Sequence, residues 1–193
     1  MISLHSVYNR INITKESYTT LEVPGNFVML LRKQIDGGII RSMEQIGLDR
    51  ILHMEIEARN EMGDIHVKHF YVELMGKYAN VVLVDEDMRI IDALKRIPPF
   101  ENNSRTIHPG AAYVLPAPHV GKQDPFHHEA FDLEESFTKQ FHGFSPLLSK
   151  EMQYQYKQGQ SFDEVMQEIA SSNQLYISDV EDNMFSIVFL CFI

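Results

Sequence analysis

The stretch that decides the fold is Gly47-Leu48-Asp49-Arg50-Ile51-Leu52-His53-Met54-Glu55-Ile56-Glu57-Ala58. From Leu52 onward every second residue is apolar, and histidine or glutamate stands between the apolar positions. A period of two is typical of a β-strand that buries one face. The sequence therefore predicts a strand with one buried face, and it places Asp49 and Arg50 at the strand entrance, outside that face.

Residues on both sides of this strand supply further extended segments. The segments with strand character are residues 39–46, 66–75, 80–84 and 89–95, of which the last is a strand or a short helix. Residues 80–84 are apolar on both faces, which favours a central, covered position. Short turns at residues 61–64 and 85–87 suit hairpin connections. The sequence therefore predicts an antiparallel meander over residues 39–95, and a weak alternation predicts one more strand over residues 2–14.

A helix is predicted over residues 26–36, ahead of the meander. Pro24-Gly25-Asn26 suits a helix start, and Gly37-Gly38 suits its end, because glycine readily adopts the left-handed cap conformation. The apolar residues of this helix share one face: Phe27, Leu30, Leu31 and Ile35. Arg32 and Lys33 lie off that face. We expect the helix to pack on the sheet, with Arg32 and Lys33 either on a solvated surface or in an RNA-facing patch.

A change of period divides the chain. Residues 1–113 form the predicted β domain, and a Pro-containing linker follows at residues 114–128. Residues 129–172 predict a small helical module with helices over 133–141, 146–156 and 161–171. Ser145 before Pro146 suits a helix start, and the pattern at residues 161–164 resembles a capping box. The predicted fold class is α+β, and residues 173–193 are interpreted as a truncated or altered tail.

The charge is distributed unevenly along the chain. The 193 residues carry a net charge of −10; residues 1–110 hold 13 basic and 15 acidic groups, and residues 111–193 hold 4 and 12. An acidic chain does not bind phosphate backbones indiscriminately, so any RNA contact needs a local basic patch, which only the first part can supply. The single cysteine, the lack of a signal-peptide pattern and the lack of a long apolar run favour a cytoplasmic protein without membrane contact.

Four blocks, in order and at compatible spacing, resemble a known family. The blocks are residues 27–33, 47–50, 57–64 and 73–80. They resemble the NFACT-N domain of the RqcH/NEMF proteins of ribosome-associated quality control, named in bacteria as FbpA-type fibronectin-binding proteins. The resemblance covers about residues 2–169. It implies that this chain lacks roughly the first fifty residues of the domain, as well as the coiled coil and the NFACT-R domain.

The resemblance also implies a fold and a function. The fold would be related to the N-terminal domain of the Fpg/Nei DNA glycosylases, followed by a helix-hairpin-helix-like module. The function would be binding of tRNA and of the large ribosomal subunit with stalled peptidyl-tRNA, during C-terminal tailing of nascent chains. Acidic residues surround the predicted hairpin, which favours a structural role for that module over phosphate binding.

Six residues are the candidate tRNA-binding set. Asp49 and Arg50 match the Asp-Arg pair of the family. Arginine can grip a phosphate or a base edge with two N–H groups, and aspartate can accept from a base amino group. Arg59 and Asn60 lie on the turn that follows the strand. The full set is Asp49, Arg50, Arg59, Asn60, Arg32 and Lys33. A competing interpretation pairs Arg59 with Glu57 or Asp64 as scaffolding of that turn.

Catalytic and metal-dependent functions are not predicted. The sequence has no Walker or Rossmann phosphate loop, no cysteine cluster for zinc, and neither the N-terminal proline nor the glutamate of the Fpg/Nei enzymes. His66 and His69, three apart on a strand, point to opposite faces, and His127-His128 is interpreted as solvated. We therefore expect a binding module without a cofactor. The alternative is a surface adhesin that binds an extracellular matrix protein, fibronectin or fibrinogen.

Overall fold

The computed structural model describes residues 1–6, 8–19, 22–60, 62–100, 105–117, 120–171, 176–180 and 184–188. The chain divides into two compact units, Met1–Pro116 and Ala117–Ile193. The boundary between the units lies inside the predicted linker at residues 114–128. Antiparallel sheets together with a few helices make this an α+β protein, as the sequence predicts.

A five-stranded antiparallel sheet dominates the first unit. Each strand is bonded to the next one in the chain, so the sheet is a meander. The strands are β3 (Ile39–Gln45), β4 (Ile51–Arg59), β5 (Ile65–Glu73), β6 (Asn80–Val84) and β7 (Ile90–Ala93). All five residues of β6 are buried, which confirms the central position predicted from its apolar residues. The prediction of an antiparallel meander over residues 39–95 is confirmed.

The sheet buries both of its faces, and this corrects the prediction of one buried face for β4. Met54 and Ile56 belong to the apolar cluster on one face. Ile51 belongs to a second cluster on the opposite face, together with Tyr71 and other residues. His53, which alternates with the apolar residues, is also buried. The alternation of residue types is therefore real, but the second face is covered by the polypeptide that follows β7, at residues 105–113.

Helix α1 (Asn26–Ile35) packs on the first of these faces. Its apolar residues contact that cluster as predicted: Phe27, Leu30, Leu31 and Ile35. Arg32 and Lys33 are exposed. The helix ends before Gly37, whose φ of 71° is the left-handed conformation that glycine favours. The next residue, Gly38, lies so close to β4 that a Cβ atom there would approach Ile56 Cγ2 to 2.9 Å, which explains a second glycine at this exit.

The predicted strand over residues 2–14 is wrong in extent. The described residues form only β1 (Ile2–Ser3) and β2 (Arg10–Ile11), which pair with each other in antiparallel fashion. Leu4 and Ile11 reach the cluster on the α1 face of the large sheet. None of the described residues in this segment is fully buried, so its weak alternation does not mark the buried face of a strand. The backbone therefore bonds to itself over two residue pairs and does not extend the large sheet.

The second unit has a helical part and a terminal hairpin. Its elements are α2 (Phe137–Gln140), α3 (Pro146–Lys157), α4 (Phe162–Ser171), β8 (Tyr176–Val180) and β9 (Met184–Val188). Ser145 caps α3 by accepting a bond from Leu148 N, and the capping box before α4 forms between Ser161 and Glu164. Both predicted caps are confirmed. The predicted first helix is too long, since α2 is a single turn and residues 133–136 lie outside it.

An aromatic cluster forms the core of the helical part. Phe137 and Phe141 are completely buried, and Phe162 packs against both rings. His128 lies among these rings, 4.8 Å from the Phe162 ring centroid, with only 13% of its side chain exposed. The interpretation of His128 as solvated is therefore wrong. Its Nδ1 contacts Pro125 O at 3.1 Å, so the largely buried imidazole has a polar partner.

None of the helices in the described part of the chain combines the length and the apolar character that crossing a membrane requires.

Candidate functional site

The structure places four of the six candidate residues at opposite ends of β4 and the other two, Arg32 and Lys33, on α1. Asp49 and Arg50 precede the strand, whereas Arg59 ends it and Asn60 follows. At about 3.3 Å per residue, the nine steps from Arg50 to Arg59 separate the two arginines by roughly 30 Å. The candidates therefore do not form one patch. Lys33 joins Arg59 and Asn60 in one group, whereas Asp49 and Arg50 form a second group.

The group at the end of β4 lines an open cleft of ≈ 330 Å³. Helix α1 contributes one wall and the β4–β5 hairpin the other. The described residues that line the cleft are Lys33, Gln34, Ala58, Arg59, Asn60, Met62, His66 and Lys68. Three of the six candidates meet here, although they lie up to 27 positions apart in the sequence. Arg32 is exposed on the same helix but is not among the lining residues.

The cleft is basic, in contrast to the chain as a whole. Its described lining contains Lys33, Arg59 and Lys68, and no carboxylate. His66 adds an imidazole whose Nε2 lies 3.1 Å from Asn60 Nδ2 and whose Nδ1 lies 3.8 Å from Glu86 Oε1. Three cations around one concave surface make a local positive potential that can hold an anionic ligand.

Asn60 fixes the turn at the rim of the cleft. Its side-chain oxygen accepts from Met62 N and from Asp64 N, each at 2.9 Å, and its amide nitrogen donates to the Asp64 carboxylate at 3.1 Å. Gly63 has a φ of 88°, which a residue with a Cβ atom rarely adopts. Asn60 is thus mainly a turn-forming residue, and its effect on a ligand would be to hold the rim in shape.

Arg59 braces the same turn in a way that the competing interpretation did not include. Its Nη1 donates to Gly63 O at 3.0 Å, and the residue as a whole is exposed. The carboxylates proposed as its partners are bonded elsewhere: Glu57 accepts two bonds from Arg41, and Asp64 accepts one from Asn60. The guanidinium is therefore held beside the cleft by a neutral carbonyl group. This contact does not neutralise its positive charge.

The second group lies on the turn between β3 and β4. Ile46 N donates to Ile51 O at 2.9 Å and closes this turn. Arg50 is exposed, but Asp49 is half-buried, although both were placed outside the buried face of the strand. Gln45 Nε2 donates to Asp49 O at 3.0 Å, which fixes the backbone of the pair. Arg50 O accepts from Leu74 N at 2.8 Å, so the Asp-Arg turn is tied directly to the end of β5.

Sequence reasoning missed two residues of the cleft, His66 and Lys68. In the register of the sheet, Ala58 pairs with His66 and Ile56 pairs with Lys68, so both side chains lie on the face that packs against α1. His69 pairs with Glu55 and lies on the other face, as its spacing from His66 predicts. The two-residue spacing of His66 and Lys68 was the available signal. It became informative only once the register was known.

A buried ion pair connects the end of β5 to the segment that follows β7. Glu73 is 1% exposed, and Arg105 donates to both of its oxygens, at 2.8 and 2.5 Å. Tyr113 adds a third hydrogen bond to the same carboxylate at 2.9 Å. Burial disfavours the charge of Arg105, but the hydrogen bonds and charge of Glu73 outweigh it and raise the pKa of the guanidinium. Burial and the Glu73 charge likewise raise the pKa of Tyr113.

A row of polar side chains continues along the same face of the sheet. His53 Nδ1 lies 2.9 Å from Glu44 Oε1, and His53 Nε2 lies 3.0 Å from His69 Nδ1. The His53 ring stacks on Tyr71 with centroids 4.5 Å apart. Burial lowers the pKa of His69, and the neighbouring His53 lowers it further, so the neutral imidazole is favoured. Within the described residues, no cluster of His, Cys, Asp and Glu is arranged to hold a metal ion.

Proteins similar to this chain carry related names. It is 40% identical over 162 residues to the "Rqc2 homolog RqcH" of Bacillus subtilis (strain 168), which covers 78% of this chain and 28% of that relative. It is 38% identical over 127 residues to the protein of the same name from Streptococcus suis (strain 05ZYH33). That match covers 65% of this chain and 23% of the relative. The chain therefore spans about a quarter of the length of these relatives.

Solved structures of similar fold carry a different kind of name. The fibrinogen binding protein from Staphylococcus aureus superposes with a TM-score of 0.78 at 28% identity, over 99% of this chain and 73% of that one. The N-terminal part of the fibronectin/fibrinogen-binding protein from Streptococcus suis superposes with a TM-score of 0.78 at 28% identity. The superposition covers 97% of this chain and 72% of that one. The family profile described as "NFACT N-terminal and middle domains" matches residues 1–191. The chain belongs to this NFACT family.

Proposed function

We propose that this chain is a tRNA-binding module of ribosome-associated quality control, which binds the large ribosomal subunit carrying a stalled peptidyl-tRNA. The observation that carries the proposal is the basic cleft at the end of β4, in a family whose relatives are named RqcH. The proposed role is positioning of tRNA without catalysis by this chain, in the cytoplasm. Kinship with the Fpg/Nei N-terminal domain and a helix-hairpin-helix role for α3 and α4 belong to the same proposal.

Electrostatics favours RNA binding at the cleft. RNA phosphates are attracted to clustered cations, and binding releases the counterions that they held. A chain with a net charge of −10 repels RNA over most of its surface, so any binding must be local. The cleft brings together Lys33, Arg59 and Lys68, and its turn is fixed in advance by Asn60. A surface that is already ordered loses little conformational entropy when it binds.

The two groups at the ends of β4 have different roles in the proposal. The cleft cations bind phosphates and give affinity. The exposed Arg50, beside the half-buried Asp49, presents a planar donor that can contact a base edge or a phosphate in two places. A separation of roughly 30 Å along β4 is comparable to one turn of a nucleic-acid helix, so a single structured RNA can reach both groups.

Alanine substitutions on the first unit are expected to weaken tRNA binding. Arg59→Ala and Arg50→Ala should each cost about 1–3 kcal/mol if the guanidinium makes a two-point contact. The matched controls are Glu151→Lys and Glu168→Lys on the second unit, which should not weaken binding because they remove negative charge. Fluorescence anisotropy with labelled bulk tRNA measures all four. Equal losses from both sets would contradict the assignment of the site to the first unit.

The salt dependence of binding separates phosphate contacts from other roles. Lys68→Ala should reduce the slope of log affinity against log salt by about one, because one fewer counterion is released. Asn60→Ala loosens the turn without removing a charge, so it should lower affinity and leave the slope unchanged. A Lys68→Ala variant with the slope of the unsubstituted chain would mean that this lysine does not contact phosphate.

The alternative function is binding of fibronectin or fibrinogen at the cell surface. It is supported by the names of the structural neighbours from Staphylococcus aureus and Streptococcus suis. Fractionation of cells distinguishes the two functions. Cosedimentation with the large ribosomal subunit, lost on treatment with high salt, supports the quality-control role. Recovery in the cell-wall fraction, together with saturable binding to immobilised fibronectin, supports the adhesin.

A further inference from the structure

An exposed tyrosine lies beside a lysine close to the Asp-Arg turn. Residues Gly76–Tyr78 form a single 3-10 turn between β5 and β6. Tyr78 is 68% exposed, and Lys77 Nζ lies 5.0 Å from the centroid of its ring. Single exposed aromatic residues are common and need no functional explanation. This one differs because a cation accompanies the ring and because the backbone around it is fixed.

Buried Asn80 fixes this turn. The Asn80 residue is 2% exposed, and its amide donates to Lys95 O at 2.8 Å and accepts from Lys95 N at 2.9 Å. Lys95 Nζ in turn donates to Lys77 O at 3.3 Å. Gly76, with a φ of 54°, allows the tight start of the turn. The ring and the two lysines are thus held together by β6 and by the segment after β7.

The turn also lies at the same end of the sheet as Arg50. Glu73 pairs with Ile51 on one side and with Asn80 on the other, so β4, β5 and β6 meet here. Leu74, the residue after Glu73, donates its N–H to Arg50 O. Arg50, Lys77 and Lys95 therefore lie at one end of the sheet, and the exposed Tyr78 ring lies at the same end.

An aromatic ring with cations beside it suits unpaired nucleotides. Each base has a flat π face that can stack on tyrosine, while the phosphates contact the cations. In a duplex, both faces of an internal base are already stacked, so the ring gains nothing there. Resting on the RNA-binding function proposed above, we propose that Tyr78 stacks on an unpaired base of the bound RNA, with Lys77 and Lys95 holding the flanking phosphates.

Three RNA probes test the stacking contact: bulk tRNA, a mixed-sequence single strand of about 12 nucleotides, and the blunt duplex of the same sequence. A strand of this length falls within the site sizes that such surfaces occupy, about 4–16 nucleotides. Tyr78→Ala should weaken binding of the single strand and of tRNA by about five- to 150-fold, as loss of one stacked base does. Duplex binding should change by less than about twofold.

Two further variants make the result specific to the ring. Tyr78→Phe keeps the π face and should bind all three probes as the unsubstituted chain does. Tyr154→Ala removes another exposed tyrosine, from α3, and should have no effect. Thermal melts confirm that each variant is folded. If Tyr78→Ala binds the single strand normally, or loses duplex binding equally, the stacking contact is refuted while tRNA binding by the unsubstituted chain still stands. If the unsubstituted chain binds none of the three RNAs, both proposals fail.

Discussion

Arg105→Met is expected to lower the free energy of unfolding by about 3–5 kcal/mol, the cost of leaving a buried carboxylate without its partner. Glu73 is 1% exposed and receives two side-chain hydrogen bonds from Arg105 and one from Tyr113. The methionine fills a similar volume without supplying a charge or a donor. Urea unfolding of the full chain, followed by circular dichroism, measures the loss.

Two comparisons show whether the loss of stability comes from the unpaired buried carboxylate of Glu73. Arg41→Met removes the same side chain from an exposed pair with Glu57, and it should cost at most about 1 kcal/mol, as surface pairs do. Combining Arg105→Met with Glu73→Leu should recover much of the stability, because no buried charge then remains. Equal losses from Arg105→Met and Arg41→Met would show that the Glu73 pair contributes no more than a surface contact.

Ile56→Ala is expected to destabilise the first unit by about 2–5 kcal/mol. Ile56 is 6% exposed, and its side chain supports both the cluster under α1 and the close approach of Gly38. The lost methyl groups leave a cavity that the helix cannot close without moving its exit at Gly37 and Gly38. Urea unfolding measures the change, and a shifted midpoint with an unchanged slope indicates a simple loss of stability.

Arg50→Ala is the matched control for Ile56→Ala, because it lies on the same hairpin but is exposed. Its effect on stability should be within about 0.5 kcal/mol, as is usual at surface positions. The structural connection of Arg50 to Leu74 runs through the backbone carbonyl, which the substitution preserves. An Arg50→Ala variant as unstable as Ile56→Ala would make Arg50 a structural residue and would remove the residue-level basis for its role in RNA binding.

Local patterns were sufficient to predict the meander, α1 and the helix caps. β6 is apolar on both faces, and a strand of that kind must be covered on both sides. Ser145 and the Ser161–Glu164 pair form caps from residues three positions apart, so no tertiary information is needed to recognise them. These elements are correct because the interactions that define them are short-range.

The second buried face of the sheet could not be predicted from the same patterns. Its polar members His53 and Glu73 look like solvent-facing residues when the strand is considered alone. Glu73 is bonded to Arg105 and Tyr113, which lie 32 and 40 positions after it, and His53 stacks on Tyr71, which itself stacks on Tyr113. His128 shows the same effect in the second unit, because the rings that surround it come from residues after it in the chain. A buried polar residue is recognised only when its partner is known.

The sequence was sufficient to propose the candidate residues, but not to predict which of them lie close together. Arg59, Asn60 and Lys33 meet at one cleft because α1 packs over the end of β4. Asp49 and Arg50 stay apart from them because β4 is nine residues long. An extended strand of that length keeps its two ends far from each other. The register of β5 against β4 then adds Lys68, which no spacing in the sequence connects to Lys33.

Protection of lysines from acetylation tests the central claim that tRNA binds the first unit at the cleft. The full chain is treated with an acetylating reagent with and without saturating tRNA, and labelled sites are quantified by mass spectrometry. The proposed function predicts that tRNA protects Lys33 and Lys68. The exposed lysines of the second unit should stay labelled: Lys139, Lys150 and Lys157. Protection of the second set alone, or equal protection of both sets, would contradict the claim.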